Sequence, residues 1–316
     1  LGKALRIDRS RTHYQEFCAK TIPAGMSLKG FKIVIDCANG AGYKVAPRVL
    51  ADLGAEIVPI GCSPNGRNIN DGCGSTAPEL LQLTVPGVRA QVGLALDGDG
   101  DRVMMVDELG RCVDGDQLLY VLARARHDAG TLKGPVVGTV MSNLGLEHAF
   151  AERGIEFRRA QVGDRYVLAL LHAVGGTLGG ETSGHILCLD KTTTGDGLIS
   201  ALQVLAVMKS TGAGLAELSA PMPKYPQVLL NVRVARRFDP LTNPSVAKIV
   251  SAVERRFNGR GRIVLRASGT EPVIRVMVEG YDAALVKTGA REIAAEVEAV
   301  AANAAAAEAA AGAVAK

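Results

Sequence analysis

Short apolar runs recur along the chain, each followed by a glycine-bearing turn and then by apolar residues at helical spacing. Residues 31–36 form a β-rich run that ends at Asn39-Gly40-Ala41-Gly42. Val45, Val49, Leu50 and Leu53 then repeat on one helix face, Gly54 supplies the stop, and residues 56–60 form the next strand. This strand–helix–strand order predicts a mostly parallel sheet covered by helices. Residues 92–96 add a strand, and residues 103–106 are expected to pair with it before a turn at Glu108-Leu109-Gly110.

The pattern then restarts. It predicts a helix near 117–126, a strand at 136–140, a helix at 144–153 closed by Gly154, and a strand at 155–157. A helix begins near Asp164, which is a candidate N-cap, and stops at Gly175-Gly176. Residues 177–180 and 185–189 read as strands around a turn, and Asp196 opens a helix to about residue 210. Pro221, Pro223 and Pro226 mark a linker. Beyond it the order changes to an alternating strand at 228–234, a helix at 245–257, and strands at 262–265 and 273–278. In the last helix Val286, Ala290, Ile293, Val297 and Val300 make one apolar stripe facing a sheet. The expected architecture is therefore two consecutive α/β mixed-sheet domains, 1–112 and 113–222, followed by a smaller α+β C-terminal domain, 223–300. An alanine-rich tail, 301–316, extends the last helix or frays.

Composition narrows the class. At 316 residues, 47% hydrophobic and 22% charged, the chain has the balance of a globular protein of two to three domains. No apolar run is long enough to span a bilayer, so no membrane partner is expected. A net charge of +4, no Trp and 4% aromatics argue against a nucleic-acid partner. The first residues carry no secretory h-region and no Met, as in a processed or truncated product. Six cysteines without a C-x-x-C are read as reduced thiols of a cytoplasmic protein, with Cys37 and Cys188 as buried filler.

Three loops carry candidate chemistry. Asp97-Gly98-Asp99-Gly100-Asp101-Arg102 follows an apolar strand, and its glycines let alternate carboxylates converge. Such charge density calls for a cation, and oxygen-only ligands select Mg²⁺ or Ca²⁺. An EF-hand is disfavoured, because Arg102 stands where its turn needs Gly and the flanks are strands. A solvated acidic turn is the bland alternative. In the second loop, Gly179-Gly180-Glu181-Thr182-Ser183-Gly184-His185, Glu181 and Ser183 can bond sugar hydroxyls and His185 can move a proton. A structural histidine is the commoner case for His185. In the third, Arg266-Ala267-Ser268-Gly269-Thr270-Glu271-Pro272 with Arg275 after it, the backbone at Ser268, Gly269 and Thr270 can form an anion nest beside a bidentate guanidinium. The alternative is a polar hairpin loop. A lesser loop, Gln161-Val162-Gly163-Asp164-Arg165-Tyr166, adds one basic group. Together the loops point to an enzyme of phosphorylated sugars.

These motifs resemble the α-D-phosphohexomutase superfamily, and its glucosamine branch most closely. Tyr14-Gln15-Glu16-Phe17-Cys18 resembles the opening of that family's second domain. Asn65-Gly66-Arg67-Asn68-Ile69-Asn70 with Cys73-Gly74-Ser75-Thr76, and Ile186-Leu187-Cys188-Leu189-Asp190-Lys191 running into Thr194-Gly195-Asp196-Gly197, are similar to stretches typical of the glucosamine branch. The resemblance implies Asp97, Asp99 and Asp101 as Mg²⁺ ligands and Arg102 at the reacting phosphate. It implies Glu181 and Ser183 as readers of sugar hydroxyls and His185 as an acid/base or orienting residue. Arg266, Ser268, Gly269, Thr270 and Arg275 become the cradle of the non-reacting phosphate. Ala267 stands where the glucosamine branch often has Pro. The implied substrate is a phosphorylated hexosamine, interconverted between its 6- and 1-phosphates through a bisphosphate on the way to UDP-N-acetylglucosamine and cell-wall precursors. A homodimer is implied as well.

Such enzymes have four domains, the first carrying a phosphoserine in a Ser-His-Asn-Pro-like loop. No His here precedes Asn-Pro. The expectation is that these residues correspond to domains two to four and bind without turnover. A phosphomannomutase/phosphoglucomutase and a non-catalytic sugar-phosphate-binding fragment are the rivals.

Overall fold

The computed structural model describes residues 9–235, 238–268 and 271–314, with side chains through residue 303. The chain divides into two compact units. One comprises residues 1–142 and 146–223, the other residues 143–145 and 224–316.

The first unit holds two mixed sheets. Helix α1 (Ser10–Lys20) precedes β1 (Lys32–Asp36), α2 (Val45–Asp52), β2 (Glu56–Ile60), α3 (Glu79–Gly87), β3 (Val92–Leu96), β4 (Val103–Val106) and the short β5 (Cys112–Val113). The strand order is β2-β1-β3-β4-β5. β1 runs parallel to both β2 and β3, and the β3–β4–β5 edge is antiparallel. The apolar runs at β1 and β3 are buried on both faces, as expected for the middle of a parallel sheet. Ile33, Ile35, Leu94 and Leu96 face one core, whereas Val34, Ala95 and Val106 pack on Leu81 and Val85 of α3.

The second sheet repeats the plan. After α4 (Gly115–Asp128) come β6 (Val136–Thr139), α5 (Leu144–Ala151), β7 (Phe157–Ala160), α6 (Asp164–Val174), β8 (Leu178–Gly180), β9 (Ile186–Cys188), α7 (Gly197–Thr211) and α8 (Leu215–Ser219). The order is β7-β6-β8-β9, with only the β8–β9 pair antiparallel. Asp114 and Gln117 form a capping box that starts α4 directly after the last strand of the first sheet. α6 starts at Gly163 as N-cap, so Asp164 is its first helical residue rather than its cap. α4 and α7 are buried along most of their length, and Leu118, Leu122, Leu198, Leu202 and Leu205 join the cores of both sheets. This shared apolar layer is why the two sheets behave as one unit.

The second unit carries β10 (Gln227–Arg233), α9 (Pro244–Phe257), β11 (Gly261–Ala267), β12 (Val273–Gly280) and α10 (Ala283–Val314). Its antiparallel sheet has the order β10-β12-β11. Val286, Ala290, Ile293 and Val297 of α10 are fully buried against Val232, Ile274, Val276 and Val278, as the stripe predicted. α10 continues through the alanine-rich segment to Val314. Among the described residues no helix is long and apolar enough to cross a membrane.

On the surface of this unit Arg256 of α9 pairs with Glu292 of α10, Nη1 donating to Oε1 at 3.0 Å. These hydrogen bonds hold the Glu292 carboxyl below its ordinary 4.5. A carboxyl depressed on folding contributes stability above its unfolded pKa and loses it as pH falls through the folded value. Glu292→Gln is therefore expected to destabilise at pH 7 by less than about 1 kcal/mol, because the pair is exposed. The difference should shrink as pH falls below the unfolded value and vanish once the folded carboxyl is protonated as well. Thermal melts across that pH range, at low and high salt, check this.

Candidate functional site

Two loops meet at the carboxyl ends of β3 and β8, the end where open α/β sheets present their ligand sites. The first, residues 97–102, closes an antiparallel β3–β4 hairpin, so the flanks are strands and an EF-hand is excluded. Asp97 curls the loop: its Oδ1 accepts the backbone N–H of Gly100 and of Arg102, each at 3.1 Å. One oxygen from each of Asp97, Asp99 and Asp101 then lies within 4.8 Å of the others. Burial pushes the Asp97 carboxyl above the usual range, and the adjacent Asp101 adds to the rise. Arg102 places its Nε 3.8 Å from Asp97 Oδ2 and 3.7 Å from Asp101 Oδ1, too far to satisfy either by hydrogen bonding. Asp101 Oδ1 is buried with no hydrogen-bond partner among the described residues. An all-oxygen cluster with an orphaned carboxylate oxygen fits a hard divalent cation.

The second loop, residues 181–185, is tied to the first through backbone and side chain. Val103 N–H donates to Gly184 O at 3.1 Å. Gly184 has φ +92°, and a Cβ there would lie 2.1 Å from Val103 O, so only glycine permits this approach. His185 is 4% exposed, and its Nδ1 lies 3.0 Å from Asp101 Oδ2. Its Nε2 is buried without a hydrogen-bond partner among the described residues. The ring bridges the two loops. Glu181 Oε1 accepts the Gly163 N–H at 2.9 Å, which fixes the carboxylate and leaves Oε2 for other donors. Ser183 is exposed at the tip.

Several positioning contacts escaped sequence reasoning. Thr182 Oγ1 donates to the buried Asp116 Oδ2 at 2.8 Å, and Gly115 N–H donates to Thr182 O at 3.1 Å. The start of α4 thus seats the second loop. The Asp114…Gln117 spacing is a signal for that helix start, although nothing in it points to a loop 66 residues away. Gly197 N–H holds Gly100 O at 2.9 Å, and Tyr14 OH donates to Asp196 Oδ2 at 2.8 Å. Burial, then Asp196, pushes the Tyr14 phenol up. A cavity of about 380 Å³ opens here, lined by Arg11, Tyr14, Asp99, Asp101 and Asp196 among others.

The third candidate lies in the other unit. Arg266 of β11 sits directly opposite Arg275 of β12. Like charges opposed across a ladder destabilise it unless an anion intervenes. Nε of each is buried without a hydrogen-bond partner among the described residues, while Arg275 Nη2 reaches Glu271 at 3.2 Å. Burial, then the neighbouring Arg275, lowers the Arg266 pKa. Ser268 is buried, its N–H on Val273 O and its Oγ accepting Glu271 N–H at 3.3 Å. Gly269 and Thr270 lie outside the described residues.

The first unit thus carries two α/β modules with loops at their strand ends, and the second an antiparallel module with opposed arginines. The models of phosphoglucomutase/phosphomannomutase domains II, III and IV match residues 13–110, 114–225 and 229–311. The chain is 55% identical over 303 residues to the phosphoglucosamine mutase of Methylobacillus flagellatus, and 56% over 302 residues to that of Chromobacterium violaceum. Each alignment covers 96% of this chain and 67% of the relative. The chain belongs to the phosphoglucosamine mutase family. A crystal structure of Aspergillus fumigatus N-acetylphosphoglucosamine mutase in complex with GlcNAc-6P and magnesium shares the fold at TM-score 0.75 and 24% identity, over 93% of this chain and 66% of that one.

Proposed function

We propose that these residues supply the metal-, sugar- and distal-phosphate-binding parts of a phosphoglucosamine mutase, which interconverts glucosamine 6-phosphate and glucosamine 1-phosphate through a bisphosphate, toward UDP-N-acetylglucosamine. The carrying observation is the joining of the carboxylate loop to the Glu181–His185 loop through Asp101–His185 and Val103–Gly184. The high identity to named mutases supports the particular sugar.

Asp97, Asp99 and Asp101 would hold Mg²⁺, as their oxygen-only convergence suggests. When bound, Mg²⁺ stabilises charge on a phosphoryl group in transfer. Arg102, partly exposed beside the cluster, would meet the reacting phosphate, a role its guanidinium suits. Glu181 Oε2 and the Ser183 hydroxyl read sugar hydroxyls. His185, with Nδ1 on Asp101, orients the loop, and its Nε2 is the ring atom left to exchange a proton. Arg266 and Arg275 grip the non-reacting phosphate with Ser268, Gly269 and Thr270. A phosphate grip that ignores the sugar suits a bisphosphate that must turn end for end.

The relay serine motif is absent from these 316 residues, so the chain alone should bind ligand without turnover. Conversion of glucosamine 6-phosphate by the purified chain, with Mg²⁺ and the bisphosphate, would overturn that. Calorimetric titration should favour glucosamine 1-phosphate over glucose and mannose 1-phosphates, the latter preference pointing instead to the phosphomannomutase/phosphoglucomutase branch. Arg266→Ala should weaken binding by roughly 1.5–3 kcal/mol, about tenfold to a hundredfold. Unchanged affinity would remove Arg266 from the cradle.

A further inference from the structure

The cysteines are not equivalent. Cys37 follows β1 and Cys62 lies two residues beyond β2, at the ends of neighbouring parallel strands. The ladder carries on past the strands: Cys37 N–H donates to Ile60 O at 3.2 Å and Asn39 N–H to Gly61 O. Between them Gly61 takes φ +57°, and a Cβ there would lie 2.1 Å from Asp36 Oδ1. This left-handed turn puts Cys62 on the face that Ile33, Ile35 and Cys37 present to the core. Both thiols pack against the same core, and Cys62 Sγ reaches Ile60 O at 3.2 Å. Continued past the strands, the register sets Cys37 opposite Gly61, so Cys62 stands one residue beyond it on the adjacent strand end.

Their accessibilities differ in a useful way. Cys37 is fully buried, whereas Cys62 is partly exposed. The neighbouring Cys37 lowers the Cys62 pKa, and Cys62, with burial, raises that of Cys37. Burial raises the other buried thiols too, Cys18 to about 12 and Cys188 to about 11. A partly exposed thiol with thiolate character beside a buried one is the arrangement that peroxides oxidise selectively.

We propose that Cys62 and Cys37 form a peroxide-reactive pair, Cys62 being oxidised first and Cys37 closing a disulfide across the ends of β1 and β2. The Cys62 thiolate attacks one peroxide oxygen; the S–O bond forms, the O–O bond breaks and hydroxide leaves. The sulfur loses two electrons and the peroxide gains them. Cys37 sulfur then attacks the sulfenic sulfur, the S–S bond forms, and the S–O oxygen departs as water with the Cys37 proton. The sum is two thiols and hydrogen peroxide giving one disulfide and two waters. The bridge would lie beside the turn whose Ala41 N–H donates to Gly98 O at 2.8 Å, one hydrogen bond from the aspartate loop.

The test treats the reduced chain with hydrogen peroxide, blocks remaining thiols and maps peptides by mass spectrometry. The expected product is a cross-linked pair of peptides containing Cys37 and Cys62, absent from Cys62→Ser. In Cys37→Ser, or Cys37→Ala where serine impairs packing, dimedone should capture a sulfenic acid at Cys62. Dimedone labelling that falls first on the partly exposed Cys112, or recovery of all six thiols after excess peroxide, would overturn the proposal.

Discussion

Asp97→Asn is expected to weaken Mg²⁺ binding at least about a hundredfold, since even outer partners of metal ligands commonly account for ten- to hundredfold. The substitution is close to isosteric. The asparagine side chain would keep an Oδ1 to accept the Gly100 and Arg102 N–H groups, so the loop should retain its curl. What it loses is the charge of a carboxylate whose ionisation burial already opposes. Without a cation that ionisation is a cost, so in chelator the variant should melt at or above the parent temperature. With saturating Mg²⁺ the order should reverse, because only the parent gains stability from a bound ion. Isothermal titration with MgCl₂ and paired melts check both parts. Equal Mg²⁺ affinity in parent and variant would remove Asp97 from the ligand set.

Gly184→Ala should damage both loops together. The new methyl group would meet a backbone carbonyl at 2.1 Å, which no rotamer change relieves, at a φ of +92° that alanine rarely adopts. Strain of roughly 1–3 kcal/mol from the dihedral adds to an overpacking cost of similar size. The cheapest escape is separation of the Gly184 turn from Val103, which would also draw His185 from Asp101. The expected result is a melting temperature lowered by several degrees together with weaker binding of Mg²⁺ and of glucosamine 1-phosphate. Loss of stability with both affinities intact would show that the loops do not depend on this contact.

Much of this was legible beforehand for a definite reason. A strand buried on both faces has to be an uninterrupted apolar run, so β1 and β3 announce themselves, and the aspartates after β3 stand out against it. α10 was equally plain, because its stripe is what one helix face buries. α3 was not, since Pro86 near its end reads as a breaker although it sits in the last turn. The opposition of Arg266 and Arg275 needs the β11–β12 register, which spacing along the chain does not supply. Asp116 under Thr182 and Gly163 against Glu181 are likewise products of packing between distant segments. Cys37 is buried, as its apolar setting predicted; that Cys62 stands near it follows from the turn at Gly61, which spacing along the chain does not supply.

The two modules of the first unit are joined at the site by main-chain atoms, Val103 N–H on Gly184 O and Gly197 N–H on Gly100 O, as well as by the His185–Asp101 side-chain contact. The main-chain links carry no side-chain identity. Over evolutionary drift residues around these links can change in one module without a compensating change in the other, provided Gly184, Gly197 and the Asp101–His185 pair survive. The spacing between the aspartate loop and its neighbour is then inherited with the chain path itself.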